Sequence, residues 1–272
     1  MEDVYYNLSE WLNLATRWIH VFAGIMWVGQ TYFFTWLDGR FSEMIAQTST
    51  KNPNNYVWMV HSGGFYLVGK QEKPQLVPHT LHWFRWEAVI TWLSGIVLLV
   101  LIYYMGGLML DENMDETVPM IAGIGTILLA WPLYDILWRS KLARNETTGV
   151  IISFVLLVGV NFFMTHIMEG RAAYMHVGAM LGTLMTANVW IRILPAQRTM
   201  VTALHEGKEP DLTLGERAKM RSKHNTFMAV PVVFIMISNH YPVTSYGDSW
   251  NWIILSILIL VGWGAAKIIR RA

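Results

Sequence analysis

Three features of this sequence predict an all-α integral membrane protein, a seven-helix transmembrane bundle. Of its 272 residues 54 % are apolar and only 14 % charged, a balance that excludes an ordinary soluble enzyme. The apolar residues gather into seven runs at or near the roughly 20 residues that a helix needs to cross a bilayer core. The Lys and Arg residues gather in alternate loops between those runs.

The first run covers about 12–37. The residues before it, "MEDVYYNLSEW", are acidic, with no basic n-region and no small-residue cleavage site, so this run reads as a retained span rather than a signal. Arg40, Lys51, Lys70 and Lys73 follow it. Within the same loop, "YVWMVHSGGFYLVGK" sets two β-prone stretches around Ser62, Gly63 and Gly64, which signals a hairpin with His61 beside the turn; a membrane-skimming irregular loop is the alternative.

The second span, about 81–105, leads into "DENMDE", which has no Lys or Arg. The third, about 118–138, ends in Arg139, Lys141 and Arg144, and its Asp135 reads as a helix-end residue near that surface. Spans four and five cover about 147–167 and 172–194. A basic connection from Arg192 to Lys223 follows, read as a solvated linker and a short helix capped near Thr213, with Glu216 three residues on. Span six, about 224–241, stops at Pro242, and a loop without Lys or Arg leads to span seven, about 250–268. Lys267, Arg270 and Arg271 close the chain. The positive-inside rule then gives an outer N-terminus and an inner C-terminus in a bacterial-type inner membrane, with residues 1–272 as a single transmembrane domain.

The chain has no cysteine, which excludes disulfides, iron–sulfur clusters, thiolate zinc sites and c-type haem attachment. Any metal must use His, Met or carboxylate ligands. A net charge of +1 offers no reason to expect a nucleic-acid partner. A weak internal repeat relates spans one and two to spans five and six: "WIHVFAGIMW" resembles "YMHVGAMLGT", and "LHWFRWEAV" begins span two as "KHNTFMAVP" begins span six.

The repeat places histidines in layers. His20, His166, His176 and His240 fall toward the outer face, and His61, His79, His82 and His224 toward the inner one. An ionisable group inside a span needs a partner, and for a lone imidazole a hydrogen bond to a neighbouring helix suffices. Two imidazoles on parallel helices at one depth offer more: they can supply both axial ligands of a haem iron. His20 with His176 is the first such pair. Gly24 and Gly178 would leave room for the macrocycle, and Trp27 and Tyr174 would wall it, although small residues also serve plain helix packing. His82 with His224 is a second candidate pair, and His79 with His82 could instead join a non-haem metal site.

The blocks "RWIHVFAGIMWVGQTYFFTWLD", "HSGGFY", "LHWFRWEAVITWLSG", "GRAAYMHVGAMLGT", "ILPAQR" and "MISNHYP", in this order over nearly the whole chain, resemble the membrane domain of the cytochrome-c-coupled urate oxidases, the PuuD-type urate hydroxylases. The resemblance implies oxidation of urate toward 5-hydroxyisourate, with electrons leaving to a cytochrome c and no hydrogen peroxide formed. The first-helix His, Trp and Gly pattern is also similar to membrane protoporphyrinogen oxidases that bind haem through a first-helix His. This supports haem b at His20, with one haem expected and a second open. Fused family members continue into a cytochrome c domain, whereas this chain ends at "KIIRRA", so the expected acceptor is a separate, soluble or membrane-attached cytochrome c.

Urate is a planar anion, and its oxidation needs a cationic or amide donor, an aromatic face and a base. Arg171, Tyr174, Asn239 and His240 offer these on the outer side; Arg85, Glu87, Trp83, Asn225 and His61 offer them on the inner side. The face that admits substrate stays open at this point. A b-type electron-transfer subunit that does not act on urate and a purine-anion transporter are the competing readings.

Overall fold

The computed structural model describes residues 2–47, 56–71, 74, 80–110, 115, 117–245, 247 and 249–270. His79 lies outside the described residues. Nine α-helices lie among the described residues: α1 (Glu2–Gln47), α2 (Trp86–Leu99), α3 (Thr117–Arg139), α4 (Glu146–Ile167), α5 (Gly170–Ala187), the shorter α6 (Leu194–His205), α7 (Leu212–Ser238), the single turn α8 (Pro242–Ser245) and α9 (Asn251–Ile269). Among the described residues, five segments are long and apolar enough to cross a membrane: Trp86–Tyr104, Thr117–Arg139, Glu146–Ile167, Gly170–His205 and Asn251–Ile269. This makes the chain an integral membrane protein. α1 and α7 are long but more polar. At about 1.5 Å per residue, α1 is roughly 70 Å long, twice what a bilayer core requires.

The hairpin is present. β1 (Tyr56–His61) pairs antiparallel with β2 (Gly64–Gly69), from Tyr56 opposite Gly69 to His61 opposite Gly64. Ser62 at φ +50° and Gly63 at φ +76° make the left-handed pair that a two-residue turn requires, which is why Gly stands there. Val57 packs on Leu37 and Phe41 of α1, and Lys70 donates to Asp38 at 2.5 Å, so the hairpin is held against the first helix.

α5 is the centre of the bundle. Thirteen of its eighteen residues are buried, because small residues such as Ala172, Ala173 and Gly178 make it thin enough for neighbours on several sides. α2, α3, α4 and α7 all pack against it. Gly24 of α1 sits against Thr91 of α2 and His20 against Gly95, so these helices are antiparallel. Trp92 of α2 donates to Thr183 of α5 at 2.9 Å, and Thr186 to the Ala88 carbonyl at 3.5 Å, again antiparallel. α1 and α5 therefore run in the same direction.

Three expectations change. The second span begins five residues late, since residues 80–85 are not helical and Arg85 occupies the N-cap position of α2. The connection after span five is not a linker: α5 passes through a π-helical turn (Asn188–Ile193) directly into α6. α7 is not short, and its N-cap is Asp211, whose carboxylate accepts from the Thr213 amide at 2.9 Å. Helix propagation accounts for this: once capped, nothing in "LGERAKMRSKHN" breaks the helix before the apolar run begins.

Candidate active site

The structure gives His20 and His176 separate surroundings. His20 is half-buried on the α1–α2 seam, where Nδ1 meets the Thr91 carbonyl at 2.9 Å and the Ser94 hydroxyl at 3.2 Å. Its Nε2 makes no hydrogen bond among the described residues. His176 is fully buried, with Nδ1 on its own helix's Ala172 carbonyl at 2.7 Å and Nε2 on the Tyr104 hydroxyl at 2.9 Å. A Cβ at Gly123 would lie only 2.7 Å from its ring, so α3 closes on it as well. The neighbours that locate the two rings, Gly95 and Tyr104, stand more than two turns apart along α2 and its π-helical extension Val100–Tyr104.

This geometry can be set against a haem. His20 fits an axial ligand, because a donated Nδ1–H leaves the Nε2 lone pair available. His176 does not fit in this arrangement, since both ring nitrogens are engaged. The supposed wall and floor have other work: Gly178 admits Ile235 and Met236 of α7, Gly24 admits Thr91, Trp27 packs into the core, and Tyr174 donates to the Ser245 and Asn251 carbonyls at 2.5 and 2.6 Å. The second pair is not assembled either. His82 is exposed ahead of α2 beside Phe84, while His224 is half-buried in α7 against Tyr134 and Trp138.

The outer candidates form a clamp. Arg171 donates to Asn239 at 2.9 Å, Asn239 reaches the Met175 sulfur, and His240 is exposed. Of the inner candidates, Arg85 stacks over Trp86 at 5.3 Å, Glu87 sits in the first turn of α2 where the helix dipole favours a carboxylate, and His61 is exposed in the hairpin. Only Asn225 belongs to a buried polar assembly.

That assembly is the chief polar feature at the basic end of the bundle. Asp135 of α3, 4 % exposed, accepts both fork donors of Arg192, with Nε at 2.9 Å, and Nη2 of Arg221 at 2.8 Å; Arg139 approaches to 3.7 Å. Arg192 comes from the π-helical turn after α5, and Arg221 from α7. Arg221 also lies over the ring of Tyr134 at 4.8 Å, and its Nη1 is buried without a hydrogen-bond acceptor among the described residues. Tyr134 contacts His224 Nδ1 at 2.6 Å and accepts from Asn188 at 3.2 Å; Asn188 donates to Asn225, which donates to the Met185 carbonyl. His224 Nε2 is buried with no hydrogen-bond partner among the described residues.

Beside this network lies a cavity of about 670 Å³, within the usual size of a small-molecule site. Arg139, Lys141, Arg144, Arg192, Arg217 and Arg221 line it, with no carboxylate among its lining residues. Trp138 forms part of the wall, and its ring is held by His224 at 4.1 Å and by an indole hydrogen bond to Ser153 at 3.1 Å.

Reading the sequence for buried histidines missed this site. The available signal was Asp135 itself, a carboxylate inside the apolar run "LLAWPLYDILW" that must find a cation. The chain matches the family described as Urate oxidase N-terminal over residues 6–270. No curated protein and no solved structure matches it.

Proposed function

The chain belongs to the urate oxidase N-terminal family, and from that premise we propose that it is a membrane-bound oxidoreductase converting urate to 5-hydroxyisourate. Urate and water give the hydroxylated product, two protons and two electrons. Two molecules of a separate ferricytochrome c take one electron each, so dioxygen is not consumed and hydrogen peroxide is not formed. The observation that carries this reading is the family match along almost the entire chain, joined to five helices of membrane-crossing length. The alternation of basic and non-basic loops supports seven crossings with the basic end inward.

A b-type haem, when bound, would supply one-electron transfer between substrate and cytochrome. His20 is the residue suited to hold it, because the Thr91 carbonyl orients the imidazole through Nδ1. The remaining chemistry falls to the chain's own groups. Guanidinium forks can hold a planar anion, and Trp138, 8 % exposed, contributes a small aromatic surface to the cavity wall.

The test is urate-dependent reduction of ferricytochrome c by the purified full chain, with product and peroxide measured alongside. Two cytochromes reduced per urate, without peroxide, is the expected result. Urate uptake into vesicles with no cytochrome reduction would identify a carrier and overturn the reading.

A further inference from the structure

We propose that the cavity at the basic end of the bundle is the binding site for the substrate as a planar oxypurine anion, admitted from the inner aqueous side. The proposal rests on the urate reading above and assigns its site and face.

Charge balance is the first argument. Six cations line the cavity, and the adjoining carboxylate, Asp135, is already saturated by Arg192 and Arg221. Like charges crowded around a concave, partly desolvated space repel one another, and an entering anion relieves that repulsion. Arg221 supplies a second argument. Its side chain is 4 % exposed, one fork nitrogen is spent on Asp135, the group lies against Tyr134, and Nη1 is buried with no hydrogen-bond acceptor among the described residues. A buried guanidinium N–H without a partner is costly, and a ligand oxygen or ring nitrogen would satisfy it.

Shape is the third argument. Trp138, itself 8 % exposed, is fixed on one side by His224 and at its indole nitrogen by Ser153, so a small immobile aromatic surface stands among donors that recognise carbonyl oxygens in pairs. A spherical anion such as phosphate would use the charges but not the plane.

The opposite end has the wrong sign. Its concavity of about 560 Å³ is bordered by Asp115 and Glu169 with His166, and Arg171 there is engaged by Asn239. Attraction of an anion therefore favours the basic end.

Equilibrium dialysis of radiolabelled urate against the full chain in detergent tests the proposal, with ferricytochrome c reduction measured on the same preparations. Arg217→Gln and Arg144→Gln change exposed cavity residues. Arg221→Lys keeps the charge facing Asp135 and removes the fork. Arg198→Gln removes a cation from α6 outside the cavity. Urate affinity is expected to fall at least about tenfold in Arg221→Lys, by a smaller factor in the two Gln variants, and not at all in Arg198→Gln. Excess inorganic phosphate should compete poorly. Wild-type protein that binds and oxidises urate while all three cavity variants match it would overturn the site and leave the activity standing. Wild-type protein that neither binds nor oxidises urate would overturn both. Phosphate competing as well as unlabelled urate would overturn the assignment to a planar anion.

Discussion

Asp135→Asn removes the negative charge from the centre of the basic end while nearly preserving shape. Asp135 holds the fork of Arg192 and one nitrogen of Arg221, with Arg139 further off at 3.7 Å. The Arg139 side chain is 66 % exposed, so its share is that of a surface pair, roughly 0–1 kcal/mol. Arg192 is 35 % exposed and contributes an intermediate amount. Arg221, 4 % exposed, dominates, because a buried guanidinium stripped of its carboxylate costs about 3–5 kcal/mol. These contributions share one acceptor and overlap rather than add. The expected loss is therefore about 3–5 kcal/mol for Asp135→Asn, against less than about 1 kcal/mol for Arg139→Gln. Reversible unfolding in mixed micelles, followed by circular dichroism, measures both. The variant Asp135→Leu/Arg221→Met should recover part of the loss, since a matched apolar pair removes both buried charges. Equal stability of Asp135→Asn and Arg139→Gln would refute the reasoning, because it would mean that Arg221 is not dependent on this carboxylate.

Other outcomes follow from local geometry. If haem is bound, His20→Ala should lose the Soret band of the purified protein, whereas His176→Ala should keep it, because His176 has no free nitrogen. Gly123→Ala should destabilise by about 1–3 kcal/mol in the same unfolding assay, as its methyl would fall 2.7 Å from the His176 ring and 2.8 Å from the Tyr104 hydroxyl. Hydrogen bonds from the Thr213 side chain and amide hold Asp211 below the ordinary carboxylate range. A lowered folded pKa means that the cap is fully effective above the unfolded value and is lost as pH falls through the folded one. Proteolysis at 206–211 should therefore quicken only on acidification, and Asp211→Asn, which can still cap, should flatten that dependence.

Much of the fold was legible because hydropathy and turn chemistry are local. The helices at 117–139, 146–167 and 251–269 declare themselves by length and apolarity. The hairpin declares itself by Ser62–Gly63, residues suited to left-handed backbone. Other boundaries were less legible: residues 80–85 place Leu81, Trp83 and Phe84 directly before the apolar helix with no Gly or Pro between, and a capped polar helix continues into an apolar one without a sequence mark. The candidate site was legible only in its ingredients. His20 and His176 can be ranked by approximate depth from their place in a span, but not by the direction each faces.

The sequence by itself determined a helical membrane protein, its alternating basic loops and its family resemblance, since each follows from residues close together in the chain. Only the tertiary structure decided which polar groups meet. Asp135 finds Arg192 57 positions later and Arg221 86 positions later, and Tyr134 finds His224 90 positions later. Each residue turns a helix by about 100°, so a partner's identity depends on how whole helices are rotated against one another. That rotation is set by where small residues such as Gly123 and Gly178 let neighbouring helices close, a property of packing that no single segment contains.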